Sequence, residues 1–167
     1  MVATGRTIRD GVVAGLIGYA AVAAFYLAFD LLAARGMLYT VDLLGRAVFR
    51  GLRDPSILQQ GPIQPDVPAI LLYNGLHLVI ALAVGLIVVW LVGQAERHPS
   101  QALLILFVIV AGFVVTVIGV GVLTEPMRAV LPWWSIVVAN GLATLLAGAY
   151  VLRVRPGTWR RLVPLAG

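Results

Sequence analysis

The residues from Ala69 to Val92 form a long apolar stretch, AILLYNGLHLVIALAVGLIVVWLV, with His77 as its one ionisable residue. An α-helix rises about 1.5 Å per residue and the hydrocarbon core of a bilayer is about 30 Å thick, so about 20 apolar residues can cross it. The stretch therefore predicts a transmembrane helix. Asn74 and His77 lie three residues apart on one face of this helix, and both need polar partners away from lipid.

Three more stretches have the same character, and they cover residues 11–34, 102–123 and 130–152. Only 11% of the chain is charged, against about 25% in soluble domains. The first stretch exceeds the apolar core of about 7–15 residues in a signal peptide, which favours an uncleaved span. We therefore predict an all-α fold, a membrane-embedded four-helix bundle in which residues 1–167 form a single transmembrane domain.

The segment from residue 40 to residue 53, TVDLLGRAVFRGLR, is amphipathic instead of uniformly apolar. A helical projection places its polar residues on one face: Asp42, Arg46, Arg50 and Arg53. This pattern predicts an interfacial helix between spans 1 and 2, with Thr40 as its N-cap and its end at Asp54, before Pro55. Two interpretations of the arginine face stay open: it contacts lipid phosphates or an acidic partner, or it is solvated.

Embedded polar side chains fall at similar depths when antiparallel spans are compared, in the third of the bundle nearest the interfacial helix. They are Asp30, Asn74, His77, Thr116 and Asn140. One interpretation is a polar layer inside the bundle. The other treats Asp30 as a boundary carboxylate beside Arg35, His77 as a structural hydrogen-bonding residue, and Thr116 as bonded to its own helix. We expect the remaining depth to be dry, which argues against a self-contained proton channel.

Small residues are frequent on the first span, where Gly11, Gly15 and Gly18 would let another helix approach closely. The other interpretation is that glycine is simply common in membrane helices. Between spans 2 and 3, the segment GQAERHPS from Gly93 to Ser100 predicts a polar hairpin with solvated Glu96, Arg97 and His98.

Several kinds of chemistry are excluded or disfavoured. The chain contains no cysteine, which excludes disulfides and thiolate metal sites within it. One embedded histidine with one carboxylate is too few for a metal or haem site within the chain, so we expect no cofactor. Motifs of nucleophilic, phosphate-binding or zinc-dependent enzymes are absent, so we expect no enzyme activity of the chain alone. The net charge of +5 is spread among segment ends, and we expect no nucleic-acid partner.

Four spans place both termini on one side of the membrane. Seven arginines would share that side: Arg6, Arg9, Arg97, Arg153, Arg155, Arg160 and Arg161. Five would lie opposite: Arg35, Arg46, Arg50, Arg53 and Arg128. Because cytoplasmic flanks carry an excess of basic residues, we predict cytoplasmic termini in a bacterial inner membrane.

The order of three segments supports this topology: YTVDLLGRAVFRG, then LLYNGLHLVIALAVGLIVVWLV, then WWSIVVANGLATLLAGAYVLRVRP. Together with the Tyr39, Leu44 and Gly45 pattern and the segment from Tyr73 to His77, it resembles uncharacterised four-span bacterial integral membrane proteins. The resemblance implies a topology and no activity.

Two hypotheses for function follow. In the first, the chain is a non-catalytic integral membrane subunit within a larger complex, with membrane lipids and larger integral membrane protein subunits as partners; a bioenergetic complex that transfers electrons or handles oxygen is one form of it. In the second, the chain is a small oligomeric transporter, or a sensor for protons or metal, that uses an Asp30/His77 polar layer.

Orientation can be tested directly because the chain lacks cysteine. A cysteine introduced by Ser56→Cys should react with an impermeant thiol reagent in intact cells, and one introduced by Thr158→Cys should react only after lysis. The opposite labelling pattern would reverse the predicted orientation.

Overall fold

The computed structural model describes residues 2–52, 54 and 64–157. Its α-helices are α1 (Val2–Leu32), α2 (Tyr39–Phe49), α3 (Val67–Arg97), α4 (Ala102–Leu123) and α5 (Trp133–Val154). Single 3-10 turns at Pro99–Gln101 and Glu125–Met127 join the last three helices. No β-strand occurs in the part of the chain that is described.

The predicted fold class is confirmed: the protein is an all-α bundle of four long apolar helices, with a short helix between the first two. Each long helix has the length and hydropathy needed to cross a bilayer. The protein is therefore a multi-pass membrane protein.

Helix α1 runs antiparallel to α3, since Gly11 lies against Gly85 and the later Gly15 lies against the earlier Ala81. It also runs antiparallel to α5. Arg6 near the start of α1 hydrogen bonds to Val154 at the end of α5, and Phe29 near the end of α1 meets Trp134 at the start of α5. We call the end of the bundle where α1 begins and α3 and α5 finish the terminal end. The opposite end, where α2 lies, is the α2 end.

The predicted boundaries differ from the observed ones at several helix ends. Helix α1 already includes the polar residues before Gly11, and α3 continues through the predicted hairpin to Arg97. Helix α2 stops at Phe49 because Gly51 adopts a positive φ of 70°, a conformation that suits glycine. Thr40 is not the N-cap, since Leu38 occupies that position. The cap of α3 is Asp66, whose carboxylate accepts a hydrogen bond from the Ala69 amide at 3.0 Å.

Helices α1 and α3 form the most extensive contact in the bundle, and glycines allow it. A Cβ atom added to Gly85 would meet the Gly11 carbonyl oxygen and would lie 2.7 Å from the Gly15 Cα. A Cβ on Gly15 would lie 2.7 Å from the Ala81 carbonyl oxygen. The two backbones are thus in direct contact. Gly18, which belongs to the same predicted set, has open space above it.

Helix α2 rests on the first turn of α3 through another glycine. A Cβ on Gly45 would lie 2.6 Å from the Ala69 carbonyl oxygen. Beside this contact, a buried apolar cluster joins α2 to the α4–α5 connection: Leu43, Leu44, Met127, Val130 and Leu131. This cluster fixes α2 across the end of the bundle.

Helix α4 is the least covered of the long helices. Its contacts with α3 and α5 are sparse, and its buried residues are Ala102, Ile105, Val117 and Gly121. Gly121 is covered by the ring of Trp133. Large apolar side chains on the rest of its surface are exposed, as lipid contact requires.

The α1–α3 contact generates a prediction. Gly85→Ala should lower the free energy of unfolding by about 1–3 kcal/mol, the usual cost of overpacking, because the added methyl meets backbone atoms that cannot rotate away. Gly18→Ala should be neutral, or stabilising by up to about 1 kcal/mol through helix propensity. Thermal unfolding in mild detergent compares the two variants, and equal effects would contradict the contact.

Candidate functional site

The carboxylate of Asp30 organises the α2 end. It is 1% exposed and accepts two hydrogen bonds from Thr40, one from the backbone amide at 2.7 Å and one from the hydroxyl at 2.6 Å. The Thr40 amide lies in the first turn of α2, where helix amides have no partner in their own helix. Asp30 therefore caps α2 from α1, and both of its oxygens are occupied.

Two further carboxylates, those of Asp42 and Asp66, hold α2 against the start of α3. Asp42 is 8% exposed, pairs with Arg46 at 3.0 Å and accepts a hydrogen bond from the Asp66 amide at 3.0 Å. Asp66 pairs with Arg50 at 3.0 Å. Asp42 and Asp66 thus connect the two helices.

The charge on Asp66 also sets a pH dependence. The Arg50 guanidinium, followed by the Ala69 amide, holds the pKa of the Asp66 carboxyl below its ordinary value of 3.8. A carboxyl with a lowered pKa in the folded state stabilises the fold above the unfolded pKa, and this contribution is lost as the pH falls through the lowered value. The α2–α3 connection is therefore complete at neutral pH.

These pairs change the interpretation of the arginine face. Arg46 and Arg50 contact carboxylates of the chain itself, and Arg46 also donates to the Gln64 carbonyl at 2.7 Å. Asp42 is buried, so the projected polar face is not a uniformly solvated one. Arg53 lies outside the described residues.

Two more arginines at the α2 end bind backbone carbonyls. Arg35 donates to Val130 at 2.8 Å, and Arg128 donates to Gly121 at 3.2 Å while its guanidinium lies 5.0 Å from the centre of the Trp133 ring. Arg35 thereby ties the end of α1 to the α4–α5 connection.

His77 and Asn74 face α1, as their shared face on α3 suggested. The Tyr19 hydroxyl donates to the side-chain oxygen Oδ1 of Asn74 at 3.0 Å, and the centre of the Tyr19 ring lies 5.2 Å from that of the His77 ring. A second aromatic ring, that of Tyr73, has its centre 6.2 Å from the centre of the His77 ring. Within the described ranges no side chain hydrogen bonds to the imidazole, so aromatic contact dominates its surroundings.

The five residues of the expected polar layer do not form one hydrogen-bonded group. Asp30 is occupied by Thr40 at the helix end, whereas Asn74 and His77 lie beside Tyr19. Thr116 is exposed and donates to the Gly112 carbonyl at 2.8 Å. Asn140 donates to Ile136 at 2.8 Å. The short polar side chains on α4 and α5 thus bind backbone carbonyls one turn earlier in their own helices instead of one another.

The terminal end holds a group of paired charges, of which only Glu96 was predicted to be solvated. Asp10 is completely buried and lies 3.5 Å from Arg155, which pairs with Glu96 at 3.1 Å and donates to Thr7 at 3.2 Å. Glu96 therefore belongs to an ion-pair network, contrary to the expected solvated hairpin. The sequence offers one clue, since Asp10 directly precedes Gly11, the first of the α1 glycines that contact α3.

No group of three or more His, Asp or Glu side chains close enough to hold a metal ion occurs among residues 2–52, 54 and 64–157.

Comparison of the chain with protein-family models, curated proteins and solved structures finds no significant match. The resemblance to four-span bacterial membrane proteins stays a prediction.

The Asp30 cap can be tested by substitution. Asp30→Ala should lower the free energy of unfolding by about 1–3 kcal/mol, because two buried donors of Thr40 lose their acceptor. Asp30→Asn should cost less than about 1 kcal/mol, since an amide can accept from the Thr40 amide and donate to its hydroxyl. Hydrogen exchange of the α2 amides, measured with thermal unfolding, should show α2 loosening in the alanine variant.

Glu125→Ala is the matched control, because Glu125 is an exposed carboxylate at the same end of the bundle. It should leave both measurements unchanged. Equal destabilisation by Asp30→Asn and Asp30→Ala would mean that the negative charge, and not the hydrogen bonding, is what the fold requires.

Proposed function

We propose that the chain is a non-catalytic integral membrane subunit that packs against a helix of a larger integral membrane protein through one face of α4. The observation that carries this proposal is a set of small residues, Gly112, Thr116 and Gly119, which we call the α4 stripe. Their spacing of four and three residues places them on one helical face.

The α4 stripe has no neighbour among the residues that the structure describes. A Cβ added to Gly112 or Gly119 would meet no atom within 4 Å, and Thr116 is exposed with its hydroxyl bonded to its own helix. Gly85 and Gly121 lie where a backbone or a ring comes close, whereas Gly112 and Gly119, like Gly75, have no described atom near an added Cβ. Small residues are enriched where membrane helices pack together. A stripe of small residues with no partner helix among the described residues therefore favours the docking of a helix from another protein.

Asn140 adds an independent reason. Its amide donates to Ile136, and no described residue donates to its side-chain oxygen. An unfilled acceptor within an apolar helix is costly in lipid. A donor from a partner helix would satisfy it.

The alternative, a transporter or sensor that uses Asp30 and His77 together, has less support. Asp30 is committed to Thr40, and His77 contacts Tyr19 and Tyr73. The two side chains belong to separate contact groups. Contact of the apolar helices with membrane lipids applies under either proposal.

The test is co-purification of the tagged chain from its native membrane in mild detergent. The wild type should elute in a discrete large assembly, and the double variant Gly112→Leu, Gly119→Leu should lose its partners while keeping its own thermal unfolding temperature. The physical reason is that two leucines fill the space that the partner helix needs.

Gly75→Leu is the control, because Gly75 is an exposed glycine of α3 with open space above it. It should keep the assembly. A wild type that elutes only as a homo-oligomer would favour the alternative, and equal loss of partners in the double variant and the control would reject the α4 stripe as the docking face.

A further inference from the structure

A cleft of about 660 Å³ opens at the terminal end between α1, α3 and α5. Its charged lining residues are Arg6, Arg97, Arg155 and Glu96, and Gly93 also lines it. The ends of membrane-length helices lie in the headgroup region of a bilayer. The cleft therefore lies at the depth of lipid phosphates.

The charges around this cleft do not balance. Three arginines line it against one glutamate, and the buried Asp10 beside Arg155 offsets one more positive charge. Arg97 is exposed, and no carboxylate in the described part of the chain pairs with it. The lining therefore keeps an excess of positive charge.

Arg155 is held in place and incompletely satisfied. Its side chain is 10% exposed and pairs with Asp10 and Glu96 through its two terminal nitrogens, while its Nε is buried without a hydrogen-bond acceptor. An arginine fixed by carboxylates keeps its fork of donors in one orientation. Arg155 thus supplies a fixed positive charge to the wall of the cleft, while the exposed guanidinium of Arg97 supplies donors that suit a phosphate.

The absence of bulk in one wall makes room for a ligand. A Cβ added to Gly93 would lie 3.4 Å from the Arg155 Nη1, so a larger residue there would crowd the guanidinium. Gly93 keeps the space beside Arg155 open.

We propose that this cleft binds the phosphate group of an anionic phospholipid headgroup. Basic pockets between membrane helices are a recurrent way of binding such headgroups. The arginines of α2 are less suited to this role, because Arg46 and Arg50 are both paired with carboxylates, whereas the cleft contains Arg97, which has no carboxylate partner among the described residues. The site is independent of the α4 stripe and of any partner protein.

The experiment uses the full chain purified in a neutral detergent, with binding of short-chain phosphatidylglycerol, short-chain phosphatidylcholine and inorganic phosphate measured by native mass spectrometry and calorimetry. The wild type should bind phosphatidylglycerol more tightly than phosphatidylcholine. Arg97→Gln should weaken phosphatidylglycerol binding about fivefold, the factor for one arginine near an anionic lipid surface. Arg97 is chosen because its loss leaves the buried Asp10 and Arg155 pair intact.

Arg153→Gln is the matched control, since Arg153 is exposed on the last turn of α5 and does not line the cleft. It should change binding less than twofold. Competition by inorganic phosphate that is sensitive to Arg97→Gln would support the phosphate site and identify free phosphate as a ligand.

Three outcomes would overturn the proposal. The first is equal binding of the two lipids by the wild type without binding of inorganic phosphate. The second is an equal loss in Arg97→Gln and Arg153→Gln, which would indicate diffuse surface charge. The third is unchanged binding in Arg97→Gln while the double variant Arg6→Gln, Arg97→Gln, still folded by thermal unfolding, also binds as the wild type does.

Discussion

The direct backbone contact between α1 and α3 sets the geometry on which the other interactions depend. Gly11 and Gly15 on one helix and Gly85 on the other leave no side chain between the two backbones. The hydrophobic effect gives little driving force for helix association in lipid. Van der Waals contact at such a close approach supplies that driving force instead. It also fixes the register, because only one alignment places Gly85 against both glycines of α1. With this register Tyr19, one turn after Gly15, hydrogen bonds to Asn74.

Polar groups lie where that register brings partners together, toward the two ends of the bundle. At the terminal end Asp10 meets Arg155, and at the α2 end Asp30 meets Thr40. Buried ions lose their hydration and need partners with good geometry, and helix ends supply free amides and carbonyls as well. The result is a bundle whose charged contacts lie at the two ends, where they join α1 and α3 to α5 and join α2 to α1 and α3.

The sequence predicts the four long helices well because length and hydropathy alone decide whether a segment can span a bilayer. It also predicts the existence of α2, since amphipathic periodicity is a local property. The partners of buried charges are not local. Asp10 looks solvent-exposed in a polar N-terminal segment until α5 places Arg155 beside it, and Asp42 looks like part of a charged face until the Asp66 amide meets it. Thr116 and Asn140 match in depth, but equal depth does not bring two side chains onto facing helix surfaces.

The internal pairing of charges also limits where this protein can bind anything else. Arg46, Arg50 and Asp30 make their contacts inside the chain, so binding through them would first require those contacts to break. A surface that needs no such exchange is energetically better placed, because its groups lose only water or lipid on binding. The α4 stripe is a surface of this kind, and so is Arg97 in the arginine cleft, which has no carboxylate partner among the described residues. They lie on different elements, with the stripe within the span of α4 and the cleft at the last turns of α3 and α5, so the proposed headgroup binding and helix docking would not compete for the same residues.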